Sequence, residues 1–196
     1  DIKVGWVMIL LANNSNAKKA AAIIKRGGLI IFPTETLYGL GCDATNSKTI
    51  KKIYLAKNRP KSKSFPILIR DFKMLSQYAF FDEQQQKIIT SAKKPTNFIL
   101  RAKNLPSSAM HKGTAAFRIS SHPWIKNLFR YLTKPLIATS ANISGKKPLS
   151  DSRQYKEAFE KKSKLITAVV FAGVNKKTKG SKIVDLTQTP FATIRY

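Results

Sequence analysis

Short apolar runs rich in β-branched residues alternate with longer amphipathic stretches along most of the 196 residues. Runs this short, bounded by glycine, proline or polar clusters, are typical of buried strands, and the stretches between them are long enough for helices. The predicted strands cover residues 7–12, 29–32, 66–69, 98–101, 115–119, 136–139, 169–171, 183–186 and 193–196. The predicted helices cover residues 17–25, 47–57, 72–78, 123–131 and 150–161. This alternation predicts an α/β layer fold with a mixed sheet, and we expect a single domain over residues 1–196.

The charge is strongly unbalanced, with 36 Lys and Arg against 10 Asp and Glu and a formal net charge of +26. Residues 84–150 contain twelve Lys or Arg and no acid, whereas a merely solvated surface usually mixes both signs. A general compositional preference for lysine is one interpretation. We favour the other, a polyanionic partner such as RNA or a nucleotide.

Several classes of site are excluded by composition. The one cysteine, Cys42, cannot form a disulfide framework or a Cys-rich metal site, and two histidines cannot build a His-rich one. The ten acids are scattered, so we expect any metal to arrive already bound to a substrate phosphate. No apolar run reaches the roughly 18 residues of a membrane span, and the run at 7–12 fits a strand better than a signal segment, so we expect a cytoplasmic protein.

Four segments are candidate binding elements, and the first covers residues 33–43. It directly follows strand 29–32, and ligands in open α/β sheets sit at the carboxyl ends of strands. Thr34 offers a hydroxyl, while Gly39 and Gly41 allow close backbone approach. A plain turn with a helix cap explains the segment equally well.

The second segment is cationic and follows a predicted helix at Lys57 and Arg59, with Lys61 and Lys63 beyond. Cations at a helix C-terminus complement its dipole. Four within seven residues exceed that need and favour a clamp for a triphosphate, with the Lys57 and Arg59 side chains facing solvent or ligand. The chain has no G-x-x-x-x-G-K-[ST] loop, so a nucleotide would need a less familiar site.

The other two segments lie on later strands. Residues 138–145 carry small and hydroxyl side chains that can line a pocket, although a Ser or Asn turn is the more common reason for such a run. Arg118 lies in an otherwise apolar strand and needs an anionic partner, either a protein carboxylate or a ligand. Because residues 84–150 contain no acid, we favour a ligand carboxylate or phosphate.

Taken together, these segments resemble the YrdC/TsaC family of threonylcarbamoyl-AMP synthases, in order and spacing, across nearly the whole chain. The matching motifs are P-T-E-T-x-Y-G-L-G-C-D at 33–43, K-x-R at 57–59, F-R-x-x-x-H-P at 117–123, S-A-N-x-S-G at 140–145 and S-x-I-V-D at 181–185. The resemblance implies a twisted mixed sheet with flanking helices around a basic concave cavity, in the short, single-domain form of the family.

The resemblance also implies a reaction, in which L-threonine, bicarbonate and ATP give L-threonylcarbamoyl-AMP and pyrophosphate. It implies that the product feeds N6-threonylcarbamoyladenosine synthesis in tRNA through a downstream threonylcarbamoyl-transferase machinery. Carried over by position, the residues expected to touch threonine are Thr34, Arg118 and Ser140. Those expected to touch ATP are Lys57, Arg59, Thr114, Asn142, Ser150 and Ser181, with Lys57 and Arg59 as the catalytic pair.

The sequence departs from the family pattern before strand 98–101. The family carries a P-G-P-x-T-like segment there, and this chain has Lys93-Lys94-Pro95-Thr96-Asn97, without the glycine and the final threonine. Lys182 also replaces a usually small or polar residue. An alternative function is a non-catalytic RNA-binding module of the same fold, acting in RNA or ribosome maturation.

Overall fold

The computed structural model of the protein describes residues 2–4, 7–175 and 180–195, and its strands form one large, twisted mixed sheet with flanking helices. The described strands are β1 (Ile2–Val4), β2 (Val7–Leu11), β3 (Ile30–Phe32), β4 (Gly39–Asp43), β5 (Ile67–Ile69), β6 (Ala79–Phe80), β7 (Thr96–Ala102), β8 (Thr114–Ile119), β9 (Leu136–Ser140), β10 (Ala168–Phe171), β11 (Lys182–Asp185) and β12 (Ala192–Arg195). The α-helices are α1 (Asn14–Lys25), α2 (Ser47–Lys57), α3 (Phe72–Tyr78), α4 (Glu83–Ser91), α5 (Pro123–Leu128) and α6 (Tyr155–Phe159).

The strand order across the sheet is β1-β2-β10-β3-β4-β9-β5-β8-β7-β11-β12, with β6 paired to β7. Four neighbouring pairs are parallel, namely β2 with β10, β10 with β3, β5 with β8, and β7 with β11. The central run from β3 through β4 and β9 to β5 is antiparallel. This order brings chain segments that are far apart in sequence to the centre of the sheet.

Strand β4 has every residue buried and is the part of the central sheet that most depends on small side chains. A Cβ added at Gly41 would lie 2.1 Å from the Ile137 carbonyl oxygen and 2.7 Å from the Phe32 ring. The two glycines of the 33–43 segment therefore let the strand pack against the Phe32 ring and its neighbour β9.

The predicted α/β class and mixed sheet are confirmed, and most predicted elements occur within a few residues of their expected bounds. Asparagine side chains cap the first two helices, Asn13 at α1 and Asn46 at α2. Asp71 caps α3, its Oδ1 accepting from the Met74 N–H at 2.7 Å. The predicted helix at 150–161 is instead α6 with a 3₁₀ turn on each side.

Four elements went unpredicted, namely β1, β4, β6 and α4, and one prediction reaches an undescribed residue. Helix α4 buries none of its side chains, so it has little apolar periodicity, although its Asp82 and Gln85 form a capping box. Strand β4 lies inside the segment interpreted as a binding turn. The last predicted strand ends at Tyr196, which lies outside the described residues, as do residues 176–179.

Candidate functional site

A cavity of about 310 Å³ opens on the central sheet, where the turn between β3 and β4 faces the ends of β9 and β8. Five of the residues predicted to form the site line it, namely Thr34, Arg59, Arg118, Ser140 and Ser181. The sheet order explains this convergence, because β4 pairs with β9 and β8 pairs with β7, which in turn pairs with β11. Sequence motifs that lie far apart in the chain therefore contribute residues to one cavity.

Arg118 is the most buried cation of the cavity lining, with 6% of its surface exposed. Its Nη1 donates a hydrogen bond to the Ser181 hydroxyl, and its Nε lies 3.5 Å from Glu35 Oε1. Burial lowers the pKa of the Arg118 guanidinium, and the Glu35 carboxylate opposes that shift. The guanidinium stays charged because an arginine pKa begins so high.

A protein carboxylate, the partner that we did not favour, does lie near Arg118, because Glu35 supplies one from a segment distant in sequence. Glu35 Oε2 also accepts a hydrogen bond from Ser120 Oγ at 2.7 Å, and this carboxylate is largely buried. Glu35 is thus a site residue that the sequence analysis missed. The signal was present, since Glu35 lies inside the P-T-E-T motif next to Thr34.

Thr34 organises the turn that carries Glu35. Its hydroxyl donates to the Leu37 carbonyl at 2.6 Å and accepts from the Thr36 N–H at 3.1 Å. The Thr36 hydroxyl also lies 3.1 Å from the Thr34 hydroxyl oxygen. Because its proton goes to Leu37 and one lone pair to the Thr36 N–H, Thr34 can offer a ligand only its second lone pair, once the Thr36 hydroxyl turns away from it.

Lys57 does not face solvent or the cavity, so the expectation for its side chain is wrong. It is 2% exposed, and its Nζ donates to the Ser140 carbonyl at 2.5 Å, the Asn142 carbonyl at 2.8 Å and Asn142 Oδ1 at 3.1 Å. The Asn142 amide group in turn donates to the Ile143 and Lys146 carbonyls at 3.0 and 2.6 Å. Lys57 therefore ties the end of α2 to the turn that follows β9.

Ser140 lies between the hydrogen bonds of Lys57 and Asn142 on one side and the cavity on the other. Its hydroxyl donates to Asn142 Oδ1 at 2.7 Å, and the residue is half-buried. Like Thr34, it therefore presents lone pairs to the cavity. Both hydroxyls are set up as acceptors, which suits a ligand group that carries N–H donors.

Arg59 borders the cavity from the segment after α2. Its Nε and Nη2 donate to the Lys63 and Ser64 carbonyls at 3.0 and 3.1 Å, and its guanidinium lies 5.2 Å from the centre of the Phe65 ring. Within the described ranges, Nη1 of Arg59 has no hydrogen-bond acceptor. This half-buried cation can receive an anionic group without leaving its own loop.

Thr114 and Ser150 do not line the cavity. Thr114 lies at the far end of β8, where its hydroxyl donates to the His111 carbonyl at 2.8 Å. Ser150 is exposed, and its carbonyl accepts from the Asn175 N–H at 2.7 Å.

The altered segment of the sequence contributes a further lining residue, Asn97, at the second position of β7. It is 2% exposed, and its Oδ1 is buried without a hydrogen-bond partner. Cys42, by contrast, can serve neither as nucleophile nor as ligand, because burial raises the pKa of its thiol to about 12.

In the described part of the chain, no group of three or more His, Cys, Asp or Glu side chains is placed to hold a metal ion. Nor does that part contain a helix long and apolar enough to cross a bilayer.

The fold and the cavity define a class of α/β domain that carries a buried arginine and a half-buried one in a cavity on a mixed sheet. The Sua5/YciO/YrdC family model, described as telomere recombination, matches residues 22–196. This match spans most of the sequence, and the chain therefore belongs to the Sua5/YciO/YrdC family.

Individual relatives agree with this assignment. Proteins named threonylcarbamoyl-AMP synthase from two strains of Vibrio vulnificus are 28% identical to the chain over 177 residues, covering 87% of this chain and 94% of theirs. P. abyssi Sua5 complexed with L-threonine matches with a TM-score of 0.87 at 28% identity, over 96% of this chain and 56% of that chain. The chain thus spans little more than half the length of that protein.

A third comparison supports the fold alone. E. coli YciO matches with a TM-score of 0.84 at 24% identity, covering 96% of this chain and 94% of that chain. The large mixed sheet with flanking helices is therefore shared among these proteins.

Proposed function

We propose that the protein is an L-threonylcarbamoyladenylate synthase, which converts L-threonine, bicarbonate and ATP into threonylcarbamoyl-AMP and pyrophosphate. The observation that carries this proposal is the buried Arg118 in the cavity, together with membership of a family that includes relatives of that name. A buried guanidinium with unused donors is a site for a small carboxylate or phosphate.

The threonine site that we propose contains Arg118, Thr34 and Ser140. Nη2 of Arg118 has no partner among the described residues, and together with the second N–H of Nη1 it can form a two-point contact with the threonine carboxylate. The Thr34 and Ser140 hydroxyls have committed their protons to Leu37 and Asn142, so they are suited to accept from the threonine amine.

The ATP site that we propose contains Arg59, Lys57, Asn142 and Ser181 in and beside the cavity, and it extends beyond the cavity to Thr114 and Ser150, which do not line it. Arg59 is suited to a phosphate oxygen because its Nη1 is unused within the described ranges. All three donors of the Lys57 ammonium are hydrogen-bonded to protein oxygens. Lys57 must therefore release one of them to bind a phosphate directly, or else act by holding the 140–142 turn. Mg²⁺ would arrive with ATP, as expected for a chain with so few acids.

The reaction proceeds in two steps. The threonine amine adds to CO₂ derived from bicarbonate and loses a proton, which gives a carbamate. A carbamate oxygen then attacks the α-phosphorus in line, the bond between the α-phosphorus and the bridging oxygen breaks, and pyrophosphate leaves. Catalysis by this site is positioning and charge stabilisation, since the cations hold the reacting groups and neutralise the polyphosphate.

The biological setting belongs to the same proposal. The product is a reactive mixed anhydride that a threonylcarbamoyl-transferase would consume to modify adenosine in tRNA. The net charge of +26 suits direct contact with tRNA, and the proposed location is the cytoplasm.

Pyrophosphate release tests the proposal. We expect release only when ATP, L-threonine and bicarbonate are present together, with one threonylcarbamoyl-AMP formed per pyrophosphate. RNA binding by a folded protein without this dependence would indicate the non-catalytic RNA-binding module instead.

Arg118→Lys tests the placement of the amino acid. Lysine keeps the charge but loses the planar fork, so we expect the threonine KM to rise about tenfold or more, with little change in the ATP KM. Arg101→Lys is the matched control, because Arg101 is exposed on the neighbouring strand. Unchanged threonine binding together with lost ATP binding would mean that Arg118 serves the nucleotide.

A further inference from the structure

Asn97 is a buried polar side chain of the cavity lining that the proposed chemistry does not yet use. It lies on β7 one residue before the Phe98–Phe117 pair, which places it beside Arg118 on the adjacent strand. It is 2% exposed, its Oδ1 is buried without a partner, and the described residues form no hydrogen bond with its amide. Since a buried amide without partners destabilises the protein, its retention in a cavity wall points to a ligand.

The surroundings of Asn97 are otherwise apolar. On one side the register places Ile183 of β11 directly beside it, and Ile99 follows on the same face of β7. Ala116 is paired with Ile99 across the β7–β8 ladder. All three line the same cavity. Together they form an apolar patch with one amide group, next to the guanidinium of Arg118.

This patch matches a group that carries one methyl and one hydroxyl on the same carbon. The methyl can pack on the isoleucines, and the hydroxyl can pair with the amide, which donates or accepts according to how it is turned. In the proposed site, Arg118 binds the carboxylate of the amino acid, and Thr34 and Ser140 accept hydrogen bonds from its amine. The side chain of the amino acid then faces Asn97.

We propose that Asn97 is a specificity-determining residue that binds the side-chain hydroxyl of the amino acid substrate. The proposal rests on the proposed function, because that function supplies the amino acid. A site built to hydrogen-bond a hydroxyl rejects analogues without it more strongly than analogues that differ by a methyl group.

Titration calorimetry with Asn97→Leu tests this inference, since leucine keeps the volume and removes the hydrogen bond. For the wild type we expect tighter binding of L-threonine than of L-2-aminobutyrate, which lacks only the hydroxyl. In the variant we expect threonine affinity to fall about tenfold, the effect of one lost hydrogen bond, with 2-aminobutyrate affinity unchanged or improved. Asn97→Ala, which removes the amide without adding bulk, serves as a second variant if leucine prevents folding.

The outcomes separate the two proposals. Equal discrimination between the two amino acids in the wild type and in a folded Asn97 variant overturns the role of Asn97. Absence of threonine binding to the wild type, with ATP and bicarbonate present, overturns the proposed function itself. A merely structural role would lower the melting temperature of Asn97→Leu, whereas removal of an unpaired buried amide is expected to maintain or raise it.

Discussion

Lys57 is an ammonium group buried among three neutral oxygens, and this arrangement makes its charge depend on pH. Burial, and to a lesser degree the nearby Arg59 charge, lowers the pKa of Lys57 from its ordinary value of 10.5 to about 7. Between these two values the unfolded chain binds more protons than the folded chain. The free energy of unfolding therefore rises with pH across that interval. Below about pH 7 the folded and unfolded chains both bind the Lys57 proton, so this group adds no further pH dependence there.

Lys57→Met should remove this contribution to pH dependence. Denaturant unfolding at about pH 7 and about pH 9 should show a larger increase in unfolding free energy for the wild type than for the variant. Lys51 is an exposed lysine of the same helix, so Lys51→Met should show the same increase in unfolding free energy with pH as the wild type. If the unfolding free energy of Lys57→Met increased with pH as much as that of the wild type, Lys57 would not be losing its proton in the folded chain. Activity of the Met variant should also fall, because the 140–142 turn loses its anchor.

Which residue types form the site could be predicted from the sequence, but their partners could not. Arg118, Ser140 and Thr34 were identified because the motifs carry them, and the structure brings them to one cavity. Glu35 was missed because its pairing with Arg118 joins positions 83 residues apart, a distance that local patterns do not report. The exposure of Lys57 was predicted wrongly because a helix C-terminus usually faces solvent, and here a turn covers it.

At the scale of the elements, β4 shows how one motif serves the sheet and the site together. The glycines of the 33–43 segment were interpreted as allowing close approach to a ligand. Gly41 instead allows close approach of the Phe32 ring and the Ile137 carbonyl. Glycine has low strand propensity, so propensity does not predict a strand that contains two glycines. Strand β4 forms because of its tertiary packing.

Gly41→Ala should destabilise the central sheet. Its new Cβ would meet the Ile137 backbone oxygen at 2.1 Å, so the strands must shift apart, and we expect a loss of about 1–3 kcal/mol in the free energy of unfolding. Gly39→Ala, two residues earlier on the same face, is the matched control. Its Cβ would meet the Phe32 ring at 3.2 Å, which a small ring movement relieves. Chemical denaturation measures the unfolding free energy of both variants. Equal losses would show that the close approach of Gly41 to Ile137 of β9 is not what makes the substitution destabilising.

At the scale of the whole molecule, the charge of +26 is spread far beyond the residues that line the cavity. A triphosphate and a small amino acid require few cations. The remaining lysines and arginines therefore have no role in the proposed small-molecule chemistry. They either reflect composition or form a surface for a polyanion, and the response to salt distinguishes these two interpretations.

Binding of tRNA should weaken steeply as salt is raised if the basic surface contacts RNA. Each phosphate contacted in a duplex contributes about 0.9 to the slope of log affinity against log salt, because bound counterions are released. Pyrophosphate release should weaken less, since few cations touch the triphosphate. L-threonine binding is an internal control, because a zwitterion without net charge should show almost no slope. Fluorescence anisotropy with labelled tRNA, together with turnover measured over the same salt series, gives the comparison. A flat anisotropy response, or no binding at low salt, would show that the charge reflects composition and that the protein acts on small molecules without holding tRNA.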